Sequence, residues 1–73
     1  MNRAEPDHGA IFAAMLANNP QLQTNPLQAM MDYVFSVHHP QESAEEAEKA
    51  DRLREQLRPI AQQYPGYLGK RLS

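Results

Sequence analysis

The sequence predicts a small all-α protein of three to four short helices. Apolar residues recur at helical spacing in three stretches, and a helix-start signal stands before each of them: Asp7, Asn25-Pro26 and Ser43. No stretch alternates apolar and polar residues as a half-buried strand does. The 73 residues leave room for one domain with a modest core, and the absence of cysteine removes any disulfide support.

The first helix is expected over residues 8–18. Asp7 caps it, Ile11, Phe12, Met15 and Leu16 form its stripe, and Pro20 stops it by disfavouring helical geometry in the residue before. Residues 19–24, NPQLQT, then read as a linker anchored by Leu22. The second helix, 26–38, has Asn25 as its cap, Pro26 in its first turn and Gln28 where a capping-box residue reaches back. Its apolar residues cover about 240° of the circumference, where a surface helix needs only about 100°. Ser43 and Glu46 read as the capping box of a third helix over 44–57, with Ala50, Leu53 and Leu57 facing inward. Glu45–Lys49 and Glu48–Arg52 are favourably oriented pairs on its outer face. Pro59 removes a helical hydrogen bond, so a kink or break is expected there, followed by a short fourth helix over 59–64. PGYLG ends regular structure.

This gives a flexible arm over 1–6, a helical domain over 7–64 and a flexible basic tail over 65–73. Leu16, Leu27, Met31, Val34, Leu53, Leu57 and Ile60 are the expected core.

The net charge of −2 conceals an uneven distribution. Residues 1–48 carry Arg3 against seven acids, net −6, whereas residues 49–73 carry six bases against Asp51 and Glu55, net +4. No apolar run approaches the roughly 18–20 residues that span a bilayer, and MNRAEPDHGAIF lacks the basic and apolar regions of a secretory signal. A soluble, intracellular protein is expected.

Little here points to catalysis. Of the internal hydroxyls, Thr24 lies in a linker, Ser43 already has a cap role and Ser36 stands beside Asp32 on a polar wall, and the Glu42–Glu48 cluster belongs at a helix start, where the macrodipole favours acids. His8, His38 and His39 lack the spacing that puts two imidazoles on one helix face, and no phosphate-cradling glycine loop occurs. No enzyme, metal or cofactor is expected. The basic C-terminal third, with Arg52, Arg54, Arg58, Tyr64, Tyr67, Lys70 and Arg71, has the cations and aromatics of a nucleic-acid contact. The negative overall charge argues against autonomous duplex binding. Protein binding accounts best for the surplus apolar surface of the second helix, with Ala29, Tyr33 and Val37 as its unused flank.

In its size, its acidic helical body, its opening MNRAEPDHGAIFAAMLANNP and its closing GYLGKRLS, the chain resembles the small RNA-polymerase-binding transcription regulators of lytic Xanthomonas bacteriophages. The resemblance implies two activities, suppression of host promoter initiation and antitermination at intrinsic terminators. It implies host RNA polymerase as partner, contacted on the N-terminal part of its largest subunit near the RNA exit channel, in the cytoplasm of the bacterial host. Residue roles come from the side chains alone. Ile11, Phe12, Met15, Tyr33 and Val37 are the candidate anchors, because aromatic residues and methionine are enriched at interfaces. Arg54 and Arg58, one turn apart, suit the rim. Tyr67, Lys70 and Arg71 are candidates for contact with nascent RNA. The competing readings are a nucleic-acid-binding regulator acting through the basic third and a generic helical adaptor.

Overall fold

The computed structural model describes residues 6–67. It is all-α, with no strand among those residues. Four helices follow in order, α1 (His8–Asn18), α2 (Pro20–Gln23), α3 (Pro26–Val37) and α4 (Ala44–Ala61), and Pro65–Tyr67 form a closing 3₁₀ turn. Residues 1–5 of the expected arm and 68–73 of the expected tail lie outside the described residues.

The start signals act as the sequence predicts. Asp7 Oδ1 accepts from the Ala10 N–H at 3.1 Å, Asn25 Oδ1 from Gln28 N–H at 3.3 Å, and Ser43 Oγ from Glu46 N–H at 3.1 Å. Neither capping-box side chain reaches back, however. The Gln28 amide donates to Asp32 at 2.9 Å. Glu46 instead accepts from the His39 N–H at 3.0 Å and faces His38 Nδ1 at 3.5 Å. It thereby ties the end of α3 to the start of α4 and closes the hairpin those two helices form.

Residues 20–23 are a helical turn where a linker is expected. Asn19-Pro20 repeats the cap-then-proline signal of Asn25-Pro26, which is legible in the sequence once the two are set side by side. The amides of this turn also finish α1. Asn19 Nδ2 donates to Met15 O at 2.7 Å and Gln23 Nε2 to Leu16 O at 2.8 Å, satisfying carbonyls that a helix end leaves open.

Pro59 neither kinks off a fourth helix nor ends the third: α4 runs through it to Ala61. Glu55, whose carbonyl loses its partner to the proline, is an exposed residue. Beyond the proline, Ala61 is fully buried and Ile60 packs on the core, which offsets the cost of the missing bond.

The core consists of Phe12, Leu16, Ala29, Met30, Val34, Ala50, Leu53, Leu57 and Ala61. Leu16, Val34, Leu53 and Leu57 stand where expected, but Leu27 is 39% exposed, and Met31 and Ile60 are only half-buried. The cause is a rotation of α3 by about a quarter turn from the expected seating. Tyr33 is drawn inward by α1, where its hydroxyl shares a hydrogen bond with His8 Nδ1 at 2.8 Å and its ring lies 5.9 Å from that of Phe12. Burial of the small Ala29 on the same side lets a neighbouring helix approach closely, and Leu27 turns outward.

Pro65–Tyr67 are not part of a free tail. Tyr64 and Tyr67 pack against the core, and a Cβ on Gly66 would lie 2.5 Å from Thr24 O and 2.7 Å from Gln23 O. Only glycine allows the turn to seat on the α2–α3 junction. Gly66→Ala should therefore lift the turn and destabilise the protein by about 1–3 kcal/mol, read as a lowered melting temperature. An unchanged melting temperature would mean that the turn is not seated there.

Glu46 gives a second test of the packing. The His39 N–H, with His38 and Lys49 beside it, holds this carboxyl below its ordinary range against the opposing effect of burial. Its folded pKa lies under the unfolded value of about 4.3, so ionised Glu46 stabilises the fold above that value and loses the effect as pH falls through the folded pKa. Glu46→Gln should lower the melting temperature at pH 7, and the gap from the unaltered protein should close as pH falls through the lowered folded pKa. A gap that persists at low pH would assign the effect to something other than the charge.

Candidate partner-binding surface

Rotating α3 moves its surplus apolar surface to the other edge. Ala29, Tyr33 and Val37, the flank expected to be unused, are buried or packed against the core. The edge left over is Leu27, Met31 and Phe35, spaced i, i+4, i+8 down one line of the helix. Leu27 is 39% and Phe35 45% exposed, with Met31 half-buried between them. Eight residues of helix set Leu27 and Phe35 about 12 Å apart along the axis. Large apolar side chains left in line on a surface are the informative exception to burial.

Helical geometry puts Arg54 and Arg58 on the same side of the hairpin as this stripe. α4 turns Gln56 and Ile60 toward Gly9 at the start of α1, with side-chain atoms within 3.5–3.9 Å of where a Cβ on that glycine would be. Arg54 and Arg58 lie about half a turn round α4 from those residues. On α3 the stripe is likewise roughly opposite Tyr33, which faces α1. The two arginines and the apolar stripe thus share the side of the α3–α4 hairpin that points away from α1. Each arginine is braced by an acid one turn before it: Arg54 Nη2 donates to Asp51 at 2.8 Å and Arg58 Nη2 to Glu55. These are exposed i, i+3 pairs, which stabilise little and are readily exchanged for a partner's acceptors.

The remaining expected anchors divide. Phe12 is fully buried and is a core residue, because α1 points it between α3 and α4 while its neighbour Ile11 stays 46% exposed. Val37 packs on the core. Met15 and Tyr33 are half-buried and line, with Leu22, Ala29, Asp32 and Ser36, an open groove of about 310 Å³ on the α1 side. Burial raises the pKa of the Tyr33 hydroxyl above its ordinary value, and the hydroxyl shares its hydrogen bond with His8. Tyr67 is half-buried against the core, and Lys70 and Arg71 lie outside the described residues. Leu27 and Phe35 are the residues that sequence reasoning missed as candidates. Their signal was the same 240° arc, read with the wrong edge inward.

Comparison with known proteins gives no matching family model, no matching curated protein and no matching solved structure. No helix among the described residues is long and apolar enough to cross a membrane, and no group of three or more histidine or acidic side chains there is placed to hold a metal ion.

Proposed function

We propose that the chain is a non-enzymatic transcription regulator that binds host bacterial RNA polymerase, suppresses promoter initiation and promotes readthrough of intrinsic terminators. The resemblance in its opening and closing segments supplies the partner, with the N-terminal part of the largest subunit near the RNA exit channel as the expected docking region. The observation that carries the binding surface is the Leu27–Met31–Phe35 stripe, exposed at both ends, with Arg54 and Arg58 on the same side of the hairpin. An apolar centre with arginines at its edge is the usual anatomy of a protein interface, in which a few desolvated anchors supply most of the affinity.

The test is single-round transcription with purified host polymerase and the full-length chain. Fewer transcripts from a host promoter and longer products past an intrinsic terminator support the reading. Unchanged initiation and termination at saturating protein would overturn it.

A further inference from the structure

The side of the molecule facing α1 carries a feature the proposed function does not use. A cleft of about 410 Å³ opens between the start of α1 and the outer face of α4, lined by Pro6, His8, His38, Lys49, Arg52, Leu53 and Gln56. None of these seven residues is acidic, in a protein whose net charge is −2. We propose that this cleft is a binding site for a phosphate group carried by a nucleotide, free or within an RNA strand.

The side chains fit that chemistry. Lys49 and Arg52 supply fixed positive charge, one as a compact ammonium and the other as a planar fork that matches phosphate oxygens. Their acidic partners hold them weakly. The Lys49–Glu46 separation is 3.9 Å and the Arg52–Glu48 separation is 3.8 Å, with Arg52 and Glu48 both about 70% exposed. Glu46 accepts the His39 N–H on Oε1 and meets Lys49 only through Oε2 at 3.9 Å, a contact long enough for the ammonium to turn to an incoming anion. His8 Nδ1 is used by Tyr33 and His38 Nδ1 faces Glu46, so Nε2 of each ring is the nitrogen available to a ligand. The Gln56 amide adds a neutral donor, and Leu53 and Pro6 offer an apolar wall for a sugar or base. The volume lies within the range of small-molecule sites and exceeds what a bare phosphate needs.

The site is independent of the polymerase surface, since Arg54 and Arg58 lie on the opposite face of α4. That separation supplies the control. The experiment is an ¹H–¹⁵N titration of the full chain with inorganic phosphate, uridine monophosphate and a short oligouridylate, at constant ionic strength set with chloride. Saturable shifts are expected at His8, His38, Lys49, Arg52 and Gln56. Lys49→Gln/Arg52→Gln should weaken binding at least about tenfold, because two charge-assisted contacts are lost. Arg54→Gln/Arg58→Gln removes the same charge and should leave binding unchanged. Tighter binding of the mononucleotide than of phosphate supports the proposal and tighter binding of the oligomer identifies the strand, whereas equal affinity for phosphate and the mononucleotide would overturn the nucleotide assignment. Absence of saturable shifts, or equal weakening by the two double variants, would overturn the proposal by reducing the effect to unspecific charge.

Discussion

Replacing Phe12 with alanine is expected to unfold most of the protein at 25 °C. The ring is fully buried at the meeting point of α1 with the α3–α4 hairpin and lies against Tyr33. Removing a buried phenyl group from such a site costs about 3–5 kcal/mol, from lost transfer energy and the cavity left behind. A domain this small draws only about 3–5 kcal/mol from its core, so the loss equals most of its stability. The informative comparison is Leu27→Ala. The sequence pattern places Leu27 in the core and Phe12 at the interface, and the fold exchanges them. Leu27→Ala should leave the melting temperature within a few degrees of the unaltered protein, as exposed positions do. Thermal melts of both variants followed by circular dichroism decide the matter. A stable Phe12→Ala protein or an unfolded Leu27→Ala protein would mean that α3 is seated as the sequence alone suggests.

The second large effect falls on binding. Leu27→Glu/Phe35→Glu should keep the helical signal and melting behaviour of the native protein, because both side chains already meet water. Its affinity for polymerase should fall by a hundredfold or more, since truncating one central anchor of an interface costs about 2 kcal/mol or more and a buried unpaired carboxylate costs further. Ile11→Glu introduces the same chemistry on α1, away from the stripe, and should bind normally. Loss of binding by Ile11→Glu with retention by the α3 variant would transfer the interface to the groove lined by Met15 and Tyr33.

The fold class, the caps and the inward face of α4 were legible because each rests on local chemistry. Asn25, Ser43 and Asp7 have one good use at a helix start, and Ala50, Leu53 and Leu57 form a single narrow stripe. The seat of α3 was not legible. An apolar arc of about 240° fits a core through any of several rotations, and the choice fell to a contact 25 residues apart, His8 with Tyr33. A periodicity argument sees neither partner. The helix through Pro59 was hidden for a similar reason, since the burial of Ala61 that offsets the proline is a tertiary fact. The turn at Pro20 was different. Its signal stood in the sequence, repeated six residues later, and the proline was read only as a stop. On α3 the exposed apolar edge follows from the seating, because whichever edge packs inward, the opposite edge becomes the surface.

The most direct measurement of the account is site-specific photocrosslinking from position 35. A benzophenone amino acid in place of Phe35, in the full chain mixed with purified host polymerase and irradiated, should give one major adduct with the largest subunit, mapping to its N-terminal part. A second probe in place of Ile11 should give little. Adducts from position 11 with none from position 35 would contradict the assignment of the surface, and no adduct to polymerase from either position would contradict the proposed partner.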